Sequence, residues 1–258
     1  MEFLIEHWYL IPLVFGVGII TGILAGIFGI GGGVIIVPMM VLLGNDIKVA
    51  IGISIMQMIF SSVYGSYLNY KKKNLDFKSG LYVGLGGIIG ASFSGLVVKS
   101  VASDILMGIF LVFIVYSIIK LFYANAYGGE SKITGGLGQK IFMVVCGIFV
   151  GIFAISLGIG GGMMISPLFA YYLGYSSKKI IPISLFFVIF SSVSGFTSLA
   201  LNGFVEYRQG IIVGIASLIG VQIGIWILSK IDAKKHKIAL LGMYVIVFSI
   251  MLKELFWG

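Results

Sequence analysis

The sequence predicts an all-α integral membrane protein built from two copies of one membrane-spanning unit. Composition, the length of the apolar runs and an internal repeat predict this class. Of 258 residues, 59% are hydrophobic and only 10% are charged, against about 25% charged residues in a soluble domain. The mean hydropathy is +1.15. Because so few charges cannot cover the surface of a soluble protein of this size, we expect a lipid bilayer to surround it.

Ten apolar runs divide the chain, and most are about 20 residues long, which suits a hydrocarbon core about 30 Å thick. Two are short, at 33–44 and 162–174, and each reaches only about half-way through such a core. The runs cover residues 9–29, 33–44, 48–70, 79–99, 104–124, 138–158, 162–174, 179–202, 209–229 and 238–256.

An internal duplication of about 130 residues is the strongest signal in the chain. Residues 18–38 match 147–167 at 12 of 21 positions, and residues 43–65 match 173–195 at 12 of 23. We therefore predict a first repeat at 1–124, a polar, Gly-rich linker at 125–137 and a second repeat at 138–258, each of about five helical segments.

The distribution of basic residues predicts how the repeats are oriented. If the first and the short run of each repeat form a hairpin, 13 basic residues lie on one side of the membrane and 4 on the other. If they form one broken helix, the split is 9 to 8. Because cytoplasmic loops carry the excess of Lys and Arg, we predict two inverted repeats in a multi-pass plasma-membrane protein with both termini outside the cytoplasm.

Both short runs follow the same pentapeptide, GIGGG, at 29–33 and 158–162, and each has a proline five residues later, at Pro38 and Pro167. We expect structural breaks at Gly29, Pro38, Gly158 and Pro167. A helix that starts after a break presents unpaired N–H groups and the positive end of its dipole. Two such ends facing each other predict an anion site without Arg or Lys, with contacts from two glycine triplets, Gly31, Gly32 and Gly33, and Gly160, Gly161 and Gly162.

The alternative for these glycines is helix packing alone, and it is the interpretation that we favour for Gly18, Gly22 and Gly26, which recur at every fourth position. For the GIGGG pair we favour ligand binding. Three consecutive glycines exceed what packing requires, and they recur before a half-length helix.

Polar residues on the next span extend the candidate site. Because they recur three or four residues apart, they share a helical face, and such a stripe either contacts a ligand or hydrogen-bonds between helices. The phenylalanine at 187 takes the place of glutamine 57, so the site is not symmetric. The candidates are Ser54, Gln57 and Ser61 in the first repeat and Ser184 and Ser191 in the second.

The sequence lacks the residues that several classes of function require. No acidic or basic residue lies deep within a span, and the two histidines and the single cysteine form no metal cluster. A Walker motif is absent. We therefore expect no enzymatic activity, no cofactor, no metal and no nucleic-acid partner.

The double GxGGGxxxxP pattern resembles the sulfite exporter TauE/SafE family of membrane anion transporters, over nearly the whole chain. Ser54 and Ser184 fit the family pattern, as do the acidic–aromatic pairs Asp76–Phe77 and Glu206–Tyr207, whereas Pro182 replaces the small residue seen at position 52. The resemblance implies a small sulfur oxyanion as substrate: sulfite or an organosulfonate. The pattern itself is carried by Gly29, Gly31 to Gly33 and Pro38, and by Gly158, Gly160 to Gly162 and Pro167.

We therefore expect a secondary transporter, an exporter of small oxyanions, that works by alternating access between the repeats. The alternatives are a passive anion channel that uses the same site, a membrane scaffold without transport, and an intramembrane enzyme, which lacks a serine–histidine or paired-aspartate constellation. The sequence leaves a homo-oligomer open.

Overall fold

The computed structural model describes residues 11–123, 133 and 135–257. Most of the predicted linker therefore lies outside the described residues, as do the first ten residues and Gly258. The described part is helical and contains no strand. Its helices are α1 (Ile11–Phe28), α2 (Gly33–Leu42), α3 (Ile47–Lys71), α4 (Phe77–Ala91), α5 (Ser94–Ser100), α6 (Ser103–Tyr123), α7 (Leu137–Ser156), α8 (Gly162–Leu173), α9 (Ser177–Leu201), α10 (Tyr207–Lys230) and α11 (Ala233–Trp257).

Seven helical segments of the described part have the length and apolarity that a membrane crossing needs. One of them joins α4 and α5 across a short turn, and α2 and α8 are too short to cross. The prediction of an all-helical, multi-pass membrane protein is therefore confirmed.

The predicted run at 79–99 forms two helices, α4 and α5, separated at Ser92 and Phe93. Ser198 on α9 supplies the reason, because its hydroxyl donates to the Ser92 carbonyl (2.7 Å) and accepts from the Gly95 N–H (2.9 Å). One side chain thus bonds a carbonyl at the interruption and one of the first N–H groups of α5. The matching position in the first repeat is Leu68, and α10 is continuous.

The short helices α2 and α8 fold back toward the ends from which α1 and α7 begin. Asn45, just after α2, donates to Gln209 at the start of α10 (3.3 Å). Helix α10 runs parallel to α1, because Gly18 faces Val213 and Gly26 faces Val221. In the second half, Gln139 at the start of α7 donates to the Tyr175 hydroxyl just after α8 (2.9 Å). Each repeat therefore begins with a helical hairpin whose bend is a GIGGG segment.

The two prolines do not end either short helix, which corrects the expectation that Pro38 and Pro167 are breaks. Each lies inside its helix, in α2 and α8 respectively. Proline removes the hydrogen bond to the residue four positions earlier, and here that loss falls in the second turn of helices that continue past it. The bends lie at the glycines alone.

The two halves of the chain are interlocked. The first helix of each half packs along the fourth helix of the other, so that α1 lies on α10 and α7 lies on α4. The centre is formed by α3 and α9, which contact each other, and α6 packs on α11.

Small residues make the α1–α10 contact close, as the packing interpretation of Gly18, Gly22 and Gly26 requires. A Cβ on Gly18 would lie 2.6 Å from the Ala216 Cβ, and one on Gly26 would lie 2.6 Å from the Val221 carbonyl oxygen. A Cβ on Gly22 would collide with the Ser217 backbone. Any side chain at these positions would push the two helices apart.

Acidic residues begin several of the helices. The Asp76 carboxylate accepts from the Ser79 N–H (3.2 Å) and hydroxyl (2.8 Å) at the start of α4, and Glu206 accepts from the Arg208 N–H (3.3 Å) at the start of α10. Such N-caps satisfy amides that lack a partner within the helix. The acidic residues of the two acidic–aromatic pairs therefore act as equivalent caps in the two halves.

Candidate functional site

The two GIGGG bends meet in the interior of the helical bundle. Backbone packs directly on backbone there, because a Cβ on Gly33 would collide with the Gly158 carbonyl and a Cβ on Gly162 would collide with the Gly29 carbonyl. Both bends are buried throughout. The structure therefore brings the two predicted glycine triplets together at one place.

Left-handed glycines end the helices that lead into the bends. Gly158 has φ +65°, and its N–H and that of Ile159 donate back to Ile155 and Ala154 of α7. This is the pattern in which a glycine closes the C-terminus of a helix and satisfies its last carbonyls. Gly29 has φ +69° at the end of α1, so both predicted glycine breaks are helix ends.

The helices that leave the bends start with unpaired donors. In the first bend, the N–H groups of residues 31–34 donate to no described residue, and the first amides bonded within α2 are those of Ile35 and Ile36, both to Gly32. In the second bend the same is true of residues 160–163, before Met164 and Ile165 donate to Gly161. Because free amides and a helix dipole both favour negative charge, each bend is an electropositive point without a cationic side chain.

Two of the predicted serines connect the halves at this point. The Ser54 hydroxyl donates to the Gly158 carbonyl (2.7 Å), and the Ser184 hydroxyl donates to the Gly29 carbonyl (2.6 Å). Each serine thus lies on one half and bonds the bend of the other. In this conformation their hydroxyl protons point at carbonyl oxygens, which leaves the amides of the bends as the available donors.

The next pair of predicted serines differs between the halves. Ser61 donates to the carbonyl of Gly31 in its own bend (3.1 Å). Ser191, its repeat mate, bonds the Phe187 and Val188 carbonyls of its own helix, at 3.2 and 3.5 Å. Ser61 therefore hydrogen-bonds a bend, whereas the hydrogen bonds of Ser191 stay within α9.

The two bends differ more in the side chains that cover them than in the serines that bond them. Gln57 is fully buried, and both atoms of its amide lie 3.2 Å from the position of a Cβ on Gly32. Neither amide atom has a hydrogen-bond partner. Phe187 occupies the equivalent place in the second half, where its ring fills the space that a Cβ on Gly161 would need.

Met58 also belongs to this site, and the sequence analysis did not identify it. Its sulfur would lie 3.2 Å from a Cβ on Gly31 and 3.1 Å from one on Gly160, so it packs between the two bends. The spacing of Ser54, Met58 and Ser61 places them on one face of α3. A search for polar side chains alone misses the apolar member of that face.

Comparison with known proteins finds relatives that are named as probable membrane transporters. A probable membrane transporter protein of Methanocaldococcus jannaschii is 29% identical over 251 residues, which cover 91% of this chain and 92% of the relative. The probable membrane transporter protein YunE of Bacillus subtilis is 29% identical over 248 residues, 84% of this chain and 88% of the relative. No solved structure matches the chain.

The family model for the sulfite exporter TauE/SafE matches residues 14–251. This range contains both GIGGG bends, the serines that connect them and all but the first three residues of the interlocked helices. The resemblance seen in the sequence is confirmed: the chain belongs to the sulfite exporter TauE/SafE family of membrane transporters.

Proposed function

We propose that this protein is a secondary transporter, an exporter, of small oxyanions such as sulfite or organosulfonates. The observation that carries the proposal is the meeting of two buried helix starts whose amides have no partner in the described structure. Buried N–H groups without partners cost free energy, about 1–3 kcal/mol each. A ligand with several acceptor oxygens and a negative charge is the chemistry that would satisfy them.

We propose that the two halves are inverted repeats and that transport occurs as one moves against the other. Contact registers support opposite directions for equivalent helices. Gly18 faces Val213 and Gly26 faces Val221, so α1 and α10 run parallel, while Gly80 faces Phe186 and Gly84 faces Phe190, so α4 and α9 run parallel. Only five residues separate α3 from α4, and both helices pack on α9, so α4 runs antiparallel to α3. Because α9 is parallel to α4, α9 runs antiparallel to α3, its equivalent.

The lysine-rich end of the bundle, defined by the loops at 72–76, 174–176 and 231–232, is proposed to be cytoplasmic. Lys71 to Lys73, Lys178, Lys179 and Lys230 lie at or beside these loops, and the positive-inside rule assigns such loops to the cytoplasm. Both termini would then lie outside the cytoplasm.

The packing of the two bends favours a carrier over a passive channel. Gly33 abuts the Gly158 carbonyl, Gly162 abuts the Gly29 carbonyl, and all four residues are buried. A path that passes between the bends is closed in this conformation. Passage of an anion between them therefore needs a movement of the helices.

Reconstitution into liposomes tests the proposal. We expect saturable uptake of sulfite or an organosulfonate with counterflow, because a carrier exchanges bound substrate across the bilayer. Gly162→Ala should lower the flux at least about tenfold, because its methyl group collides with the Gly29 carbonyl. A collision that costs about 1.4 kcal/mol is enough for a tenfold change.

Gly108→Ala is the matched control, because it adds the same methyl group to a helical glycine with open space around it. It should transport like the wild type. Equal flux in the two variants would contradict a role of the bends in transport. Absence of flux for every oxyanion in the wild type would contradict the anion assignment, and flux without saturation or counterflow would favour a channel.

A further inference from the structure

The amide of Gln57 is the most anomalous polar group at the site. The side chain is fully buried, and both its nitrogen and its oxygen lack partners. Buried polar groups in native proteins are almost always hydrogen-bonded, and an exception indicates a function or a missing ligand. Because either terminal atom lies 3.2 Å from the Cβ position of Gly32, the amide is aimed at the first bend, where the N–H groups of residues 31–34 are also unpaired.

The first bend therefore offers an unequal set of groups. Four backbone N–H groups and the Gln57 NH₂ are donors, and the Gln57 carbonyl oxygen is an acceptor. A ligand that has only acceptor oxygens would pair with the donors and leave that oxygen buried without a partner. A ligand that also carries an O–H group has a donor for that oxygen as well as acceptors for the N–H groups.

The second bend offers no such acceptor. Phe187 replaces Gln57 there, and its ring lies over Gly161. The two bends differ in backbone conformation, with φ +87° at Gly32 and φ −71° at Gly161, and in the side chain that covers each of them.

Charge sets a second condition on the ligand. Within the described ranges, no Asp, Glu, Lys or Arg side chain is buried, so the bend is positive only through its amides and the dipole of α2. A helix N-terminus is equivalent to about half an elementary charge. It compensates a singly charged anion far better than a doubly charged one.

Taking the proposed oxyanion transport as the starting point, we infer that the first bend with Gln57 is the ligand site, and that its preferred ligand is a singly charged oxyanion carrying one O–H group. Hydrogensulfite has this chemistry. The ring of Phe187, which lies over Gly161 in the second bend, would supply an apolar surface against which the loaded first bend closes.

Flux measurements with three probes test this inference in the wild type without any substitution. Hydrogensulfite has one charge and an O–H group, methanesulfonate has one charge and no O–H group, and sulfate has two charges. We expect hydrogensulfite to be preferred over methanesulfonate by about tenfold or more, because a buried group left unpaired by an analogue strongly disfavours that analogue. Sulfate should be transported least.

The pH dependence separates hydrogensulfite from its dianion. At constant total sulfite, flux should fall as pH rises and the hydrogensulfite fraction declines, while methanesulfonate flux stays constant. Leakage measured in protein-free liposomes is subtracted at each pH. Sulfite flux that is constant or rises with pH would overturn the inference.

A matched pair of substitutions assigns the preference to one bend. Gln57→Met keeps the side-chain length but removes both hydrogen-bonding groups. The ratio of hydrogensulfite flux to methanesulfonate flux should therefore fall to about 1. Phe187→Met, at the equivalent position, should retain the preference. An unchanged ratio in Gln57→Met, or equal flux of both anions in the wild type, would overturn the inference but leave oxyanion transport standing, whereas absence of flux for every anion would contradict the proposed function.

Discussion

At the scale of single residues, the serines of α3 and α9 differ in their hydrogen-bond partners. Ser54 and Ser184 each bond a carbonyl of the opposite half, at 2.7 and 2.6 Å. Ser191 bonds only carbonyls of its own helix, which are already accepting backbone hydrogen bonds. The two connecting hydroxyls therefore fix how the bends are positioned against each other.

Replacing the connecting serines should lower stability. We expect Ser54→Ala and Ser184→Ala each to lower the free energy of unfolding by about 0.5–1.5 kcal/mol, because each leaves a buried carbonyl without its partner. Thermal unfolding of the purified protein in detergent measures the change. Ser191→Ala is the control and should have a smaller effect, and an equal loss in that variant would argue against the connecting role.

At the scale of helices, close approach depends on where glycine faces another backbone. Gly22 on α1 lies directly against Ser217 on α10, whereas Gly16 on the same helix has nothing within 4 Å of its Cβ position. The two glycines differ by six positions and therefore point in different directions around the helix. The spacing of Gly18, Gly22 and Gly26 already separates Gly22 from Gly16, and the structure identifies α10 as the helix on which that face packs.

The pair Gly22→Ala and Gly16→Ala tests this difference. Gly22→Ala should destabilise the protein by about 1–3 kcal/mol through overpacking. Gly16→Ala should leave stability unchanged or slightly raise it, since alanine favours a helix over glycine by about 1 kcal/mol. Chemical or thermal unfolding compares the two, and similar stability in both variants would contradict the described packing of α1 on α10.

Features that depend on local sequence could be predicted, whereas features that depend on contacts with the other half of the chain could not. Run length, the duplication and the GIGGG motif are local or periodic, so they predicted the helices and the two bends. The interruption between α4 and α5 depends on Ser198, and the place of Met58 depends on Gly160. Both contacts come from the other half of the chain, and spacing within one half carries no information about them.

At the scale of the whole molecule, the proposed inversion means that equivalent helices of the two halves cross the membrane in opposite directions. Ser100 at the end of α5 and Ser229 near the end of α10 occupy corresponding parts of the two halves, and both are exposed. In an inverted arrangement they lie at opposite ends of the bundle. The single cysteine, Cys146, is buried, which leaves a low background for labelling.

Cysteine labelling in intact cells tests the inversion and the orientation together. A membrane-impermeant maleimide should label Ser100→Cys in intact cells and label Ser229→Cys only after permeabilisation. The wild type measures the background from Cys146. Labelling of both variants from the same side would contradict inverted repeats, and the reversed pattern would place the lysine-rich end outside.

The interlocking of α1 with α10 and of α7 with α4 also constrains how the protein is made. Synthesis proceeds from the N-terminus, so α1 and α4 are inserted while their partners are still untranslated. Until then, their glycine faces lack the helices on which they pack in the finished protein. Assembly of the core is consequently a late event in biogenesis, and a nascent chain that stops after the first half lacks the partner surface that its own helices require.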